Sequence, residues 1–276
     1  MFAAMGAAGC GARRARTIEQ LRAAPLYTFT DAELDAYLKW LPGAEPQTLN
    51  RVVRLARQNV GQPYQLGLLG EGPGAPYDAD PTCCLSASDC VTFVEHTYAM
   101  ALTHDWPSFY DTLQRIRYRD GRIGFWTRNH FTESDWNVNN AWLFDDITAS
   151  LAPGVTAPMR VVIDRAAFFK KWGLETSIPT EVFETFYLPL GRLADVLPRL
   201  QDGDVVEIVR GTPEAPYVGH MGLILHAADG TVTILHSARP AVREQPLAAY
   251  LQGYPGCLGV KILRPAEGSE HKKTDA

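Results

Sequence analysis

A cysteine that attacks a carbonyl needs a way to become a thiolate, an imidazole to carry its proton, and a polar group to orient that imidazole. Ser88-Asp89-Cys90 supplies the first: Ser and Asp are good helix caps, and Val91, Val94, Tyr98 and Leu102 continue as an apolar stripe. Cys90 therefore falls in a first helical turn, where unpaired N–H groups and the macrodipole favour a thiolate. His220 opens an apolar run after Gly219, and His236 closes the next run before Ser237. A hairpin through 227–230 would bring both imidazoles to one end of a sheet. His130 is the competing third group. A lone helical cysteine is more often a small buried hydrophobe, and a lone strand-end histidine is usually just hydrogen-bonded. The combination, with a Gly-rich loop upstream, is what points to nucleophilic catalysis.

The elements that must position these groups are legible in outline. Thr30-Asp-Ala-Glu33 is a capping box opening a helix through Leu34, Tyr37, Leu38 and Leu41, closed by Pro42-Gly43. Leu49, Val52, Val53, Ala56 and Val60 form a second amphipathic stripe ending at Gly61 and Pro63. Residues 66–82, rich in Gly and Pro, read as an irregular surface segment of the kind that lines sites. Beyond the Cys90 helix, Phe109 to Tyr118 suggests another helical piece. Residues 204–209, 220–225 and 231–235 are short β-branched runs that read as antiparallel strands.

Between these halves, Arg128, His130, Asp135 and Trp136, with Asn139 and Asn140, have two readings. Aromatic faces and a bidentate guanidinium suit a groove for a sugar or peptide. The alternative is a hydrogen-bond network that ties the loop down. His96 and His104 read as surface residues, His226 as structural.

The bulk properties narrow the class. The 276 residues are 46% hydrophobic and 21% charged, close to globular averages, with a net charge of −5. That balance gives no footprint for nucleic acid or an anionic membrane, and no run reaches the roughly 18 apolar residues of a membrane helix. The cysteines, Cys10, Cys83, Cys84, Cys90 and Cys257, lack zinc spacing, no His/Glu ligand set is evident, and no metal or other cofactor is implied. Ala7-Ala-Gly-Cys10 follows a short apolar tract and resembles the box before the lipidated cysteine of bacterial lipoproteins. Cys10 is thus a lipidation and membrane-tether candidate, with periplasmic or outer-membrane placement. The competing reading is a chance Ala/Gly tract in a cytoplasmic chain. In an oxidising compartment Cys257 is expected to bond Cys83 or Cys84, leaving Cys90 free.

Ser88-Asp-Cys-Val-Thr-Phe-Val-Glu95, Asp202-Gly-Asp-Val-Val206, Gly219-His-Met-Gly-Leu-Ile-Leu225 and Leu235-His-Ser-Ala238 resemble, in order, the motifs of NlpC/P60-type papain-like cysteine hydrolases. Tyr64 with Leu66–Glu71 and Tyr77-Asp78, Thr127–Phe131 with Ser134-Asp-Trp136, and Leu247–Leu251 resemble more narrowly the N-acetylmuramoyl-L-alanine amidase-like family. The resemblance spans roughly residues 50–265. Papain-like enzymes also place a histidine at about the distance that separates Cys90 from His220.

The resemblance implies an α+β fold: a papain-like core with the nucleophile helix on a small antiparallel sheet, plus N-terminal helices. With the catalytic domain at 49–265, the composition outside it marks a signal or lipoprotein candidate at 1–16, a helical extension at 17–48 and a disordered tail at 266–276. The resemblance implies Cys90 as nucleophile, His220 as base, His236 as orienter, the Cys90 N–H and Tyr64 hydroxyl as oxyanion donors, and Asp89 as a group that meets a substrate amine. Ser88 departs from the usual aromatic or apolar residue. The implied substrate is a peptidoglycan fragment or peptide whose stem is cut at an amide through a thioester, either the muramoyl–L-alanine or a D-glutamyl–diamino acid link. An acyltransferase or thioesterase acting on a lipid or acyl group is the alternative, and no protein partner is indicated.

Overall fold

The computed structural model describes residues 14–266; Cys10, and with it the lipidation expectation, lies outside them, as do all residues of the expected tail except Ala266. Among the described residues, the α-helices of six residues or more that precede the sheet are α1 (Ile18–Ala23), α2 (Asp31–Ala44), α3 (Thr48–Gln58), α4 (Cys90–Ala101) and α5 (Trp106–Arg117). Reciprocal capping boxes start α1 at Thr17 and α2 at Thr30, satisfying N–H groups that would otherwise lack partners. α2 runs on through Pro42 to Ala44 instead of closing there, because a proline near the end of a helix forfeits only one late hydrogen bond.

α4 is the central helix. Every residue from Thr92 to Ala101 is buried, so it is covered on all sides, by α3, α5 and the sheet. Leu21, Leu34, Tyr37 and Leu38 of the N-terminal helices share one apolar cluster with Phe93, Val94 and Tyr98 of α4 and with Met221, Leu223 and Leu235 of the sheet.

The sheet is antiparallel and larger than three strands: β1 (Phe144–Asp146), β2 (Ala157–Ile163), β3 (Glu181–Pro189), β4 (Val205–Thr212), β5 (Ala215–His226), β6 (Val232–Ala238), β7 (Ala241–Pro246) and β8 (Cys257–Pro265). Their order is β2-β3-β8-β4-β5-β6-β7, with β1 beside β8. Side chains alternate across it. Val205, Leu223 and Leu235 face α4, while Val206, Ile224, Ile234 and Ile262 face Leu193, Leu247 and Leu251 on the far side. β8 escapes a hydropathy reading because Lys261 sits mid-strand. Its buried ammonium donates to Asp146 (2.5 Å), Thr185 (2.8 Å) and the Phe186 carbonyl (3.1 Å). β7 is masked by Arg243, Glu244 and Gln245 at the sheet edge. The fold is therefore α+β, with the Cys90 helix packed on an antiparallel sheet behind a set of N-terminal helices.

The two-sided sheet also bears on the cysteines. Cys83, Cys84, Cys90 and Cys257 are all free thiols. Cys83 packs with the α4-side cluster, Cys84 with Leu68, Leu69 and Ala87, and Cys257 with the cluster on the opposite face, so the structure shows no bond from Cys257 to Cys83 or Cys84.

Candidate active site

Asp89 caps α4 in a reciprocal box: its carboxylate accepts from Thr92 N (2.9 Å), and Thr92 Oγ1 accepts from Asp89 N (2.8 Å). The second carboxylate oxygen accepts from Gly67 N (3.2 Å), which ties the Gly-rich loop to the helix start. Asp89 is thus occupied within the chain. Ser88, the departure in the sequence motif, is a tie as well. Its hydroxyl donates to Gln62 Oε1 (2.7 Å) and lies 3.0 Å from Ser237 Oγ, which donates to the Ser88 carbonyl (2.9 Å). Backbone bonds Tyr64 N to Pro240 O (3.0 Å) and Ser88 N to Pro63 O (3.1 Å) complete a seam joining the start of α4 to the β6–β7 end of the sheet.

That seam puts Cys90 among rings. Its sulfur receives backbone N–H groups from Met221, Val91 and Cys90 itself, and its charge would be felt at Tyr64, Tyr250 and Tyr254. Met221 follows His220, so the start of α4 abuts β5 beside the histidine, and Tyr250 and Tyr254, which feel the sulfur's charge, also pack on the His220 ring. Burial, with the Asp89 carboxylate second, pushes the Cys90 thiol up to about 12. The helix-end donors act in the expected direction, but burial outweighs them, and the free protein carries a neutral thiol instead of a depressed one.

His220 Nε2 stands 2.6 Å from His236 Nδ1. Glycine 222 permits the approach: a Cβ there would lie 2.8 Å from His236 Cβ. Burial first, then Arg243, lowers His220 to about 4, and burial with the neighbouring His220 lowers His236 to about 3. Both rings are neutral at pH 7. His236 Nε2 meets the Gln245 amide at 2.9 Å, Tyr250 packs 4.5 Å from the His236 ring and Tyr254 stacks on His220 at 5.9 Å. As placed, Gln245 Nε2 donates to His236 Nε2, His236 donates from Nδ1 to His220 Nε2, and His220 carries its proton on Nδ1. A half-turn of the amide, which presents Oε1 instead, reverses the chain and leaves His220 Nδ1 as a bare lone pair. Tyr64 lies on the other side under the Arg239 guanidinium (5.7 Å), and burial raises its hydroxyl, which stays protonated.

The middle segment is elsewhere. His130 Nε2 meets the Phe125 carbonyl (2.7 Å) within an aromatic cluster and not the His220–His236 pair. Arg128 is clamped by Glu71 and Asp78, Asp135 by Arg165 (2.6 Å), and Trp136 is buried with its Nε1 donating to Glu95 (3.0 Å). Asn139 and Asn140 donate to Asn129 Oδ1 and the Ile116 carbonyl. The hydrogen-bond network, not an open groove, describes these residues. His96, expected at the surface, is buried on α4, with Nδ1 on the Thr92 carbonyl (2.7 Å) and Nε2 near Cys83 Sγ (3.7 Å). His226 pairs with Asp202 and His104 is exposed. Sequence reasoning missed Tyr250, Tyr254, Gln245, Arg210 and Arg239. Only the first had a signal, in the Leu247–Leu251 motif.

A family model described as N-acetylmuramoyl-L-alanine amidase-like matches residues 54–257. The chain belongs to this family. An N-acetylmuramoyl-L-alanine amidase from Bacteroides uniformis is 27% identical, covers 80% of this chain and 100% of its own, and superposes with a TM-score of 0.66. A Legionella pneumophila protein at 22% identity, covering 86% of this chain and 97% of its own with a TM-score of 0.74, shares the fold. Comparison with curated proteins gives no match. The amidase-like match takes in Cys90, His220, His236 and the Gln245–Tyr254 stretch, and its start at residue 54 leaves α1 and α2 outside it. Among the described residues no group of His, Cys, Asp and Glu could hold a metal ion, and no helix is long and apolar enough to cross a membrane.

Proposed function

We propose that the chain is a cysteine hydrolase of peptidoglycan stem peptides, cutting the N-acetylmuramoyl–L-alanine amide through a thioester at Cys90. The observation that carries this reading is a helix-capped cysteine and a neutral, hydrogen-bonded pair of imidazoles that share Tyr250 and Tyr254 as neighbours, in an amidase-like chain.

The steps follow from the protonation states. The neutral Cys90 thiol gives its proton to His220 Nδ1 as sulfur attacks the carbonyl carbon. The Cys90 N–H and the protonated Tyr64 hydroxyl face the developing oxyanion. His220, now an imidazolium held by His236, returns the proton to the leaving amine as the C–N bond breaks. Water, deprotonated by the same base, then hydrolyses the thioester and frees Cys90.

The surroundings of Cys90 are phenolic and cationic, which suits a polar peptide better than an acyl chain and sets the acyltransferase reading second. A peptidoglycan substrate supports the reading of a cell-envelope protein with Cys10 as its tether. Mass spectrometry of muropeptides digested by the purified protein tests the reading. A released peptide with free N-terminal L-alanine is the expected product. Release of a diamino-acid fragment would move the cut to the D-glutamyl link, and no release would overturn the reading.

A further inference from the structure

Arg210 has no carboxylate partner among the described residues. It stands where β4 slips register against both neighbours, between Ile208 and Val209 on the β5 side and between Val209 and Arg210 on the β8 side. Such irregularities re-aim the side chains next to them and are frequent beside active sites. The Arg210 stem crosses Gly219, the residue before His220, where a Cβ would fall 2.2 Å from Arg210 Cδ. Its guanidinium carbon comes to rest 5.5 Å from the Tyr254 ring centre and 5.8 Å from Tyr217. Tyr254 is the ring stacked on His220. The guanidinium is therefore one aromatic ring away from the candidate base.

Several arginines tied into the fold meet carboxylates: Arg117 with Glu95, Arg128 with Glu71 and Asp78, Arg165 with Asp135, Arg264 with Asp204. Arg210 forms no such pair among the described residues: its guanidinium hydrogen-bonds the Tyr254 hydroxyl, and its buried Nε has no hydrogen-bond partner. A half-buried guanidinium with an unmatched Nε favours a counter-charge, and ring faces and a phenol supply only part of it. Arg239 over Tyr64 and Arg243 behind the imidazoles share the same sign, in a chain whose net charge is −5. Asp89 is the carboxylate that faces Cys90 from the helix start, and it is held there by Thr92 and Gly67.

We propose that Arg210 is the carboxylate-binding residue of this site: it pairs with a carboxylate of the stem peptide laid against Tyr254, and so selects stem peptides with free carboxyls over amidated ones. The assignment rests on the reading of Cys90 as an amide hydrolase of such peptides. A planar guanidinium fits a carboxylate in a forked geometry that an ammonium does not reproduce.

The test compares kcat/KM for an N-acetylmuramoyl tripeptide with its carboxyls free and for the same tripeptide fully amidated, in wild type, Arg210→Gln and Arg210→Lys. Wild type is expected to prefer the free acid by about 10- to 100-fold, the range of a hydrogen-bonded charge pair. The preference should collapse toward one in Arg210→Gln and be partly kept in Arg210→Lys. Equal turnover of both peptides by wild type overturns the assignment while leaving the hydrolase reading intact, as does a preference that survives Arg210→Gln. Turnover of neither peptide by wild type overturns the hydrolase reading and the assignment with it.

Discussion

His220 Nε2 and His236 Nδ1 lie 2.6 Å apart, one proton bridging two buried imidazoles, and the Gln245 amide 2.9 Å from His236 Nε2 ends the chain. Only one direction of that chain leaves His220 Nδ1 able to take a proton. His220→Ala is expected to lower kcat on the order of 10²–10⁴-fold, the usual contribution of a general base. His236→Ala should lose less, and Gln245→Leu less again, because each acts only by orienting the next. Steady-state kinetics on a muropeptide checks the order. His130→Ala should leave turnover at the wild-type level, and a larger loss there than at His236 would misplace the third group.

The protonation states set a pH signature. With Cys90 at about 12 and His220 at about 4, the free protein holds a thiol beside a neutral base across the working range. Iodoacetamide labelling of Cys90 should therefore climb by about tenfold per pH unit from neutral to alkaline pH, as the thiolate fraction does. kcat/KM should fall on the acid side only as pH approaches about 4, where His220 takes up a proton. Labelling that is flat from weakly acid to weakly alkaline pH would mean a thiolate–imidazolium pair in the free protein.

Glu207 gives a stability test away from the chemistry. It is fully buried on β4, accepts from Asn137 Nδ2 (3.1 Å), and has its other oxygen unpartnered. Burial raises its carboxyl from 4.5 to about 8. The folded chain thus keeps a proton that the unfolded chain releases, and stability contributed at low pH is lost as pH rises through that window. Glu207→Gln, which removes the titration, is expected to gain on wild type by up to about 1.4 kcal/mol per pH unit across it. Urea unfolding at pH 5 and pH 8 checks this, with the advantage larger at pH 8. An equal difference at both would show that the carboxyl does not titrate there.

The seam at Ser88 is expected to matter for both stability and turnover. Ser88→Ala removes the donor to Gln62 and the contact with Ser237, leaving buried polar atoms unmatched at a cost of about 1–3 kcal/mol. Thermal unfolding reads the first effect. A fall in kcat without a change in KM reads the second, since the seam sets where α4 begins relative to His236.

What was legible in the sequence is what is local. Caps and apolar stripes foretold α2, α3, α4 and α5, and the Asp89 cap put Cys90 at a helix start. The runs at 204, 220 and 231 named three strands whose hairpin brings His220 and His236 together. The remaining strands were hidden because their periodicity is broken by charges satisfied only in the folded state, Lys261 by Asp146 and Thr185, Glu244 by Arg57. Composition made Arg128, Asp135 and Trp136 resemble a groove, whereas their partners lie tens of residues away in Glu71, Asp78, Arg165 and Glu95. The pKa of Cys90 was misjudged for a related reason: the helix end is visible in sequence, but the tyrosines and strands that bury the sulfur are not.

The central claim is that Cys90 is the attacking atom on a stem-peptide amide. Wild type and Cys90→Ala, each shown by circular dichroism to be folded, are incubated with the same N-acetylmuramoyl tripeptide, and the products are read by mass spectrometry. The account predicts a peptide with free N-terminal L-alanine from wild type and none from Cys90→Ala. Equal release from both proteins would contradict it.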